Sequence, residues 1–199
     1  MVRMLSLAID VLPSGILATI VIFLLKGRVF KDVNRCVICT VFAVYLLALF
    51  SLTGIPAVNG LVLDPGVNIV PLAGVVGDLK NAFLNVLLFV PLGVLLPLLW
   101  REFRSLSRAA LSGLMLSLGI EILQIFTFRY TDVNDLLTNT AGAALGFLLT
   151  MPVLRGRTST FPGEGDVRYE LTVLVVLTFG IAFLIQPFIS GALWNLIYT

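Results

Sequence analysis

Six apolar runs, each close to twenty residues long, succeed one another along the chain at residues 5–25, 36–52, 82–100, 109–128, 136–154 and 171–189, separated by short polar or charged segments except for one long stretch between the second and third. A helix needs about 20 apolar residues to cross the roughly 30 Å of bilayer hydrocarbon, so each run predicts one transmembrane helix. The pattern thus predicts an all-α polytopic integral membrane bundle of about six helices, forming a single membrane domain over residues 1–199. The first run carries Asp10 and Pro13, and no small-residue cleavage site precedes the charged segment at Lys26. A retained helix is expected there rather than a cleaved signal peptide.

One stretch breaks the apolar pattern. Between Leu116 and Gly146 the chain carries Glu121, Gln124, Arg129, Asp132, Asn134, Asp135 and Asn139. An ionisable side chain near the middle of a membrane helix costs about 2.5–3.5 kcal/mol on insertion scales. Such a group faces protein or a water-filled cavity, which makes this run the candidate working site. Spacing refines the picture: Asn81 with Asn85, Glu121 with Gln124, and Asp135 with Asn139 are three or four residues apart, so each pair shares one helix face.

Composition agrees with the runs. Hydrophobic residues make up 59% of the chain and charged residues 12%, about half the charged share of a soluble domain. The net charge of +2 gives no footprint for nucleic acid. The placement of Lys and Arg predicts topology instead. Ten of the 13 fall in alternate loops (Lys26, Arg28, Lys31 and Arg35; Arg101, Arg104 and Arg108; Arg155, Arg157 and Arg168), against three on the other side at Arg3, Lys80 and Arg129. By the positive-inside rule the rich loops are cytoplasmic and both termini extracytoplasmic. Spans three and five then start outside and span four ends there, so their polar residues are expected at one depth, in a pocket open to the outer leaflet.

Other chemistry is thinly represented. Cys36 and Cys39 form a C-x-x-C, but the chain has no histidine and no further cysteine to complete a tetrahedral metal site. They read as small helix-packing residues, with no metal and no cofactor expected. A serine- or cysteine-type hydrolase lacks its histidine as well. The segment 53–80 is rich in Gly, Pro and apolar residues. It reads as a loop on the outer membrane surface, either filling space over the helix ends or acting as a lid.

Several polar residues have two readings. Asp132 and Asp135 have the spacing of a helix N-cap and its third residue, where negative charge suits the helix dipole. Asn81 is a candidate cap for span three, and Asn85 and Asn139 could simply bond across helices. Gly142 and Gly146 form a G-x-x-x-G, expected to pack helices closely within the monomer. Glu121 is the residue that structure alone explains least. An ideal helix continuing to Arg129 would put it about 12 Å along the axis from Glu121, so Arg129 is expected to meet Asp132 or Asp135.

In order along the chain, Asn68-Ile-Val-Pro71, Asn85-Val-Leu-Leu-Phe-Val-Pro91-Leu-Gly93, Glu121-Ile-Leu-Gln124-x-Phe126 and Arg129-x-x-Asp132-x-x-Asp135-x-x-x-Asn139-Thr140-x-Gly142-x-x-x-Gly146 resemble the VanZ-like family. The resemblance covers about residues 41–154, leaving the helices at about 5–25 and 171–189 outside it. It implies a multi-pass protein of the bacterial cytoplasmic membrane with an accessory role at the cell envelope, in a family whose name-giving member is associated with low-level teicoplanin resistance. It also adds Asn68 to the candidate site.

Three functions are compatible with these residues. The first is a binding module in which Asn68, Asn81, Asn85, Glu121, Gln124, Arg129, Asp132, Asp135 and Asn139 hold the head of an amphiphile, either an envelope lipid intermediate or a glycopeptide antibiotic, with membrane lipids around it. Arg129 would take its anionic part. The second is a membrane-embedded enzyme acting on an envelope lipid or peptidoglycan precursor, with Glu121 or Asp135 as general acid or base. The third, a transporter, is weaker, because the cytoplasmic halves of spans three to five are almost wholly apolar.

Overall fold

The computed structural model of the chain describes residues 2–63, 66–68, 79–127, 131–155 and 166–198. In order they form α1 (Val2–Leu24), α2 (Val33–Thr53), β1 (Val67–Asn68), α3 (Leu79–Leu99), α4 (Leu106–Gln124), β2 (Thr131–Asp132), α5 (Val133–Leu154), α6 (Val167–Gly180) and α7 (Gln186–Tyr198). A 3₁₀ turn at Arg101–Phe103 joins α3 to α4, and a π-helical turn at Ile181–Ile185 runs α6 into α7. Six helical stretches are long and apolar enough to cross a membrane, the last being the joined Arg168–Ile197. The protein is an all-α, multi-pass membrane protein.

Most helices begin about one turn earlier than the apolar runs, and two of the helix ends differ further. The last span extends to Ile197 instead of ending near residue 189, because the π turn continues the helix without a break. α4 stops at Gln124 rather than near residue 128. There both the amide and the hydroxyl of Thr127 donate to the Gln124 carbonyl, at 2.9 and 2.8 Å. That local bonding replaces the helical ladder and turns the chain.

The chain divides into two compact units, residues 1–61 with 165–199, and residues 62–164. In the first, α1 and α2 form a hairpin. Gly27, at φ 81°, makes the turn and its amide donates to the Phe30 carbonyl at 2.7 Å. Asp32 caps α2 by accepting from the Arg35 amide at 2.8 Å, and Gly54, at φ 67°, closes its far end. One face of α1, including Ser14, Ala18 and Ile22, is buried, while Leu12, Ile16, Ile20 and Leu24 are exposed. An apolar face left outside marks a lipid-facing helix rather than a soluble one. Cys36 and Cys39 are both free and buried.

This unit also holds a buried ion pair. Arg35, in the first turn of α2, and Glu170, in the first turn of α6, are each 1% exposed. The Arg35 Nε lies 3.1 and 3.0 Å from the two carboxylate oxygens, and Nη2 adds a third bond to Oε2.

In the second unit the α3–α5 contact is made by backbone. A methyl group added at Gly142 would stand 2.2 Å from the Val86 carbonyl oxygen, one at Gly146 2.1 Å from that of Val90, and one at Gly93 1.9 Å from that of Ala143. Residue numbers rise together across this contact, so the two helices run parallel. At Gly113 of α4 an added methyl group would stand 2.5 Å from the Ala143 Cβ. α4 runs antiparallel against α5, from Gly113 beside Ala143 to Glu121 beside Asp132. Because α3 and α5 are parallel, their entrances coincide. The backbone just before α5 pairs in parallel with a segment that ends eleven positions ahead of α3, Val67 opposite Thr131 and Asn68 opposite Asp132.

Two predictions follow from this packing. Gly146→Ala should lower the thermal unfolding midpoint of the purified protein in detergent. Gly119→Ala, where nothing lies within 4 Å, should raise it, by up to about 1 kcal/mol of helix propensity. Glu170→Gln, which leaves the Arg35 charge buried without its counterion, should cost about 3–5 kcal/mol. The double change Arg35→Met with Glu170→Leu should recover most of that in the same assay, since no unpaired charge then remains.

Candidate functional site

The polar residues of the second unit gather at the end where α3 and α5 begin and α4 finishes. On α4, Ser117, Glu121 and Gln124 follow one another at helical spacing and all three are buried. Glu121 is 3% exposed, yet its Oε2 accepts a hydrogen bond from the Asp132 amide at 3.0 Å. The turn after Gln124 makes this possible, returning the chain so that a residue eleven positions on reaches the carboxylate. The ideal-helix offset read in the sequence does not apply beyond Gln124.

Asp132 is the N-cap of α5, its Oδ1 accepting from the Asn134 amide at 2.9 Å. One turn in, Asp135 accepts from Asn85 Nδ2 at 2.7 Å, joining α5 to α3. One further turn in, Asn139, 5% exposed, donates through Nδ2 to Ser117 Oγ at 2.9 Å, joining α5 to α4. Glu121, Asp132 and Asp135 therefore bring three carboxylates to the first turn of one helix, where the helix dipole presents positive potential and the amide donors have no intrahelical partner.

The side-chain amide oxygen of Asn139, Oδ1, is buried and accepts no hydrogen bond among the described residues. A buried acceptor left without a donor costs about 1–3 kcal/mol.

Of the residues expected in the site, the fold brings together Asn85, Glu121, Asp132, Asp135 and Asn139. Gln124 lies one turn outward from Glu121 on the same buried face. For Asn68 the backbone lies opposite Asp132. The loop leading to it is also tied here, the Val62 amide donating to the Phe126 carbonyl at 3.0 Å. Asn81 is not the cap of α3, which starts at Leu79; it sits inside the first turn and is exposed. Arg129 falls outside the described residues. Ser117 was not singled out in the sequence, although it stands four residues before Glu121 on the same face and is fully buried.

Basic residues collect at the opposite end of this unit. Arg104 Nε donates to the Pro97 carbonyl at 3.1 Å, covering the last turn of α3, and Arg108 Nη1 donates to the Glu102 carbonyl at 2.7 Å. Arg155 caps the C-terminus of α5. Among the described residues the unit is thus polarised along its axis, acidic where α5 starts and basic where it ends, with Lys80 the exposed exception at the acidic end.

Comparison with known proteins gives this arrangement a family. The sequence profile of VanZ/LLP1 matches residues 42–155. Protein VanZ of Enterococcus faecium is 40% identical over 74 residues, which is 37% of this chain and 45% of that protein. The matched part therefore spans less than half of that relative. No solved structure matches the chain. The profile match covers more than half of the sequence and contains α3, α4 and α5 whole: the chain belongs to the VanZ/LLP1 family.

Proposed function

We propose that the acidic cluster at the start of α5 is an outward-facing binding site for the polar head of an amphiphilic envelope ligand, a lipid-linked precursor or a lipoglycopeptide such as teicoplanin, and that through it the protein has an accessory role in glycopeptide resistance at the bacterial cytoplasmic membrane. The observation that carries this reading is the gathering of Asn85, Glu121, Asp132, Asp135 and Asn139 at one end of an otherwise apolar three-helix unit, with Asn139 Oδ1 left as an unsatisfied acceptor among the described residues. Sugars and peptides are rich in O–H and N–H donors, which is what carboxylates and an amide carbonyl accept.

The orientation rests on charge. With Arg101, Arg104, Arg108 and Arg155 at the end opposite the cluster, the positive-inside rule puts the cluster on the extracytoplasmic side. Arg129, three residues before Asp132 in the sequence, supplies a guanidinium whose chemistry suits an anionic group of the same ligand. Membership of the VanZ/LLP1 family and the likeness to Protein VanZ of Enterococcus faecium support the glycopeptide context.

Binding is favoured over proton transfer because Glu121 and Asp135 are each held by a donor of the protein, the Asp132 amide and the Asn85 side chain. A carboxylate already engaged by a fixed donor of the protein suits the role of a positioned acceptor more than that of a general acid.

Two measurements test the proposal. In nanodiscs, Glu121→Gln keeps an oxygen for the Asp132 amide and so should fold, but should bind teicoplanin or a lipid-linked precursor at least tenfold more weakly than the native protein. Arg129→Ala should do the same, and unchanged affinity in both variants with both probes rejects the site. In a susceptible bacterial host, expression of the native chain should raise the teicoplanin concentration needed to stop growth, and Glu121→Gln at equal membrane abundance should abolish that rise.

A further inference from the structure

The first unit contains a second polar site, built from residues that the acidic cluster does not use. Asp10 of α1 accepts a hydrogen bond from Ser190 Oγ of α7 at 2.6 Å, and Gln186, one turn earlier on α7, donates through Nε2 to Ser51 Oγ at the end of α2 at 2.9 Å. These four side chains line a cavity of about 190 Å3, closed on its apolar sides chiefly by Phe50, Ile55, Ala182 and Pro187. At about 30 Å3 per water molecule, the space exceeds what a single water fills.

The fold builds this cavity through a local irregularity. From Glu170 the inward-facing row of the last span runs in steps of four, through Leu174, Thr178, Ala182, Gln186 and Ser190. Around a regular α-helix each such step drifts by about 40°, so the row would turn away from its neighbours within two or three turns. The π turn at Ile181–Ile185 takes up an extra residue and turns the row back, which keeps Gln186 and Ser190 facing α2 and α1. The loop after α2 closes over the same place, the Val58 amide donating to the Phe183 carbonyl of the π turn at 3.0 Å. Single π turns inserted in α-helices recur at functional sites.

The electrostatics of the cavity are one-sided. Asp10 is its only ionisable lining residue, and no cationic side chain among the described residues lines it. Neither Asp10 Oδ2 nor the Gln186 amide oxygen takes a hydrogen bond among the described residues. The site therefore offers a carboxylate and an amide carbonyl as acceptors, beside an aromatic ring and an aliphatic wall.

A cation with N–H donors and a short apolar arm complements all of these at once. The ammonium would meet Asp10 and Gln186, and its methylene groups would rest on Ile55 and Pro187, with Phe50 available to the charge. We propose that this cavity binds a small primary ammonium group, carried either by the headgroup of a membrane lipid or by a soluble amine. Inorganic monovalent cations are poorer occupants, because the apolar part of the wall leaves too few oxygens to replace their hydration.

The test uses the full chain in nanodiscs and reads its thermal unfolding midpoint. Phosphatidylglycerol discs serve as the amine-free reference, phosphatidylethanolamine is introduced for the lipid source, and ethanolamine is titrated for the soluble source. Stabilisation of the native chain is expected in one arm or both, and the responding arm identifies the source. Asp10→Asn should unfold later than the native chain in the amine-free reference, because a half-buried charge with no counterion lining the cavity is gone, and should require at least tenfold more amine for the same shift. Gln186→Glu adds a second carboxylate and should lower the amine requirement several-fold; if Asp10→Asn does not fold, this variant alone decides. No stabilisation of the native chain in either arm, an undiminished response in Asp10→Asn, or an unchanged or weaker response in Gln186→Glu overturns the proposal.

Discussion

The approach of α3 to α5 at backbone distance is the constraint from which the second unit follows. Gly93, Gly142 and Gly146 leave no room for even a methyl group between the helices. In a bilayer, lipid tails are as apolar as leucine, so close van der Waals packing takes over from hydrophobic burial as the force holding helices together. Parallel packing then aligns the two entrances and lets Asn85 reach Asp135 at 2.7 Å. The backbone just before α5 lies beside the segment that ends eleven positions ahead of α3, Asn68 opposite Asp132. A larger residue at any of the three glycines would push the helices apart and with them the donors and acceptors that meet at the helix start.

Three carboxylates crowded at one place would repel one another, and the arrangement at α5 shows what holds them. Asp132 and Glu121 accept from backbone amides at the helix N-terminus, where the helix dipole favours negative charge, and Asp135 accepts from an amide side chain. Each anion thus has a fixed donor. Glu121 is the one whose placement depends on the fold as a whole. It belongs to α4, caps the start of α5, and does so only because the helix stops at Gln124 and the chain doubles back. The same turn closes the α4–α5 hairpin, so the residue costliest to insert in a membrane is tied to the connection that forms it.

Much of this was legible in the sequence, for reasons that differ from residue to residue. The spans were readable because bilayer thickness fixes the length of an apolar run, and the shared faces of Glu121 with Gln124 and Asp135 with Asn139 because helical spacing fixes direction. The partners were not readable. That Asn85 meets Asp135 and Asn139 meets Ser117 depends on helix register, which the glycines set through contacts far apart in the chain. Ser117 gave little signal because a serine in an apolar helix commonly bonds the carbonyl four residues before it. Arg35 and Glu170 were hidden differently: counted among loop charges, Arg35 spoke only for topology, yet it is buried against an acid 135 positions away. The π turn left no trace in an apolar Ile-Ala-Phe-Leu-Ile run.

The two units solve the membrane's problem of polar groups in different ways, and the difference bears on what each can do. In the first, Arg35 and Glu170 satisfy one another and are sealed from every surface. Such a pair can hold helices in place but has nothing left to offer a ligand. Among the described residues Asp10 is bonded only by a neutral hydroxyl, and Asn139 Oδ1 of the second unit accepts no hydrogen bond. Desolvated polar groups that the protein itself does not satisfy are a standing penalty, removed only when something from outside supplies the missing partner. The VanZ/LLP1 match ends at residue 155 and begins at residue 42, so it takes in Asn139 and excludes Asp10, Gln186 and Ser190. What meets the acidic cluster is therefore a question for the family. What meets Asp10 is a question for the helices outside the matched segment, where they line a cavity with Phe50, Ser51 and Ile55 from within it.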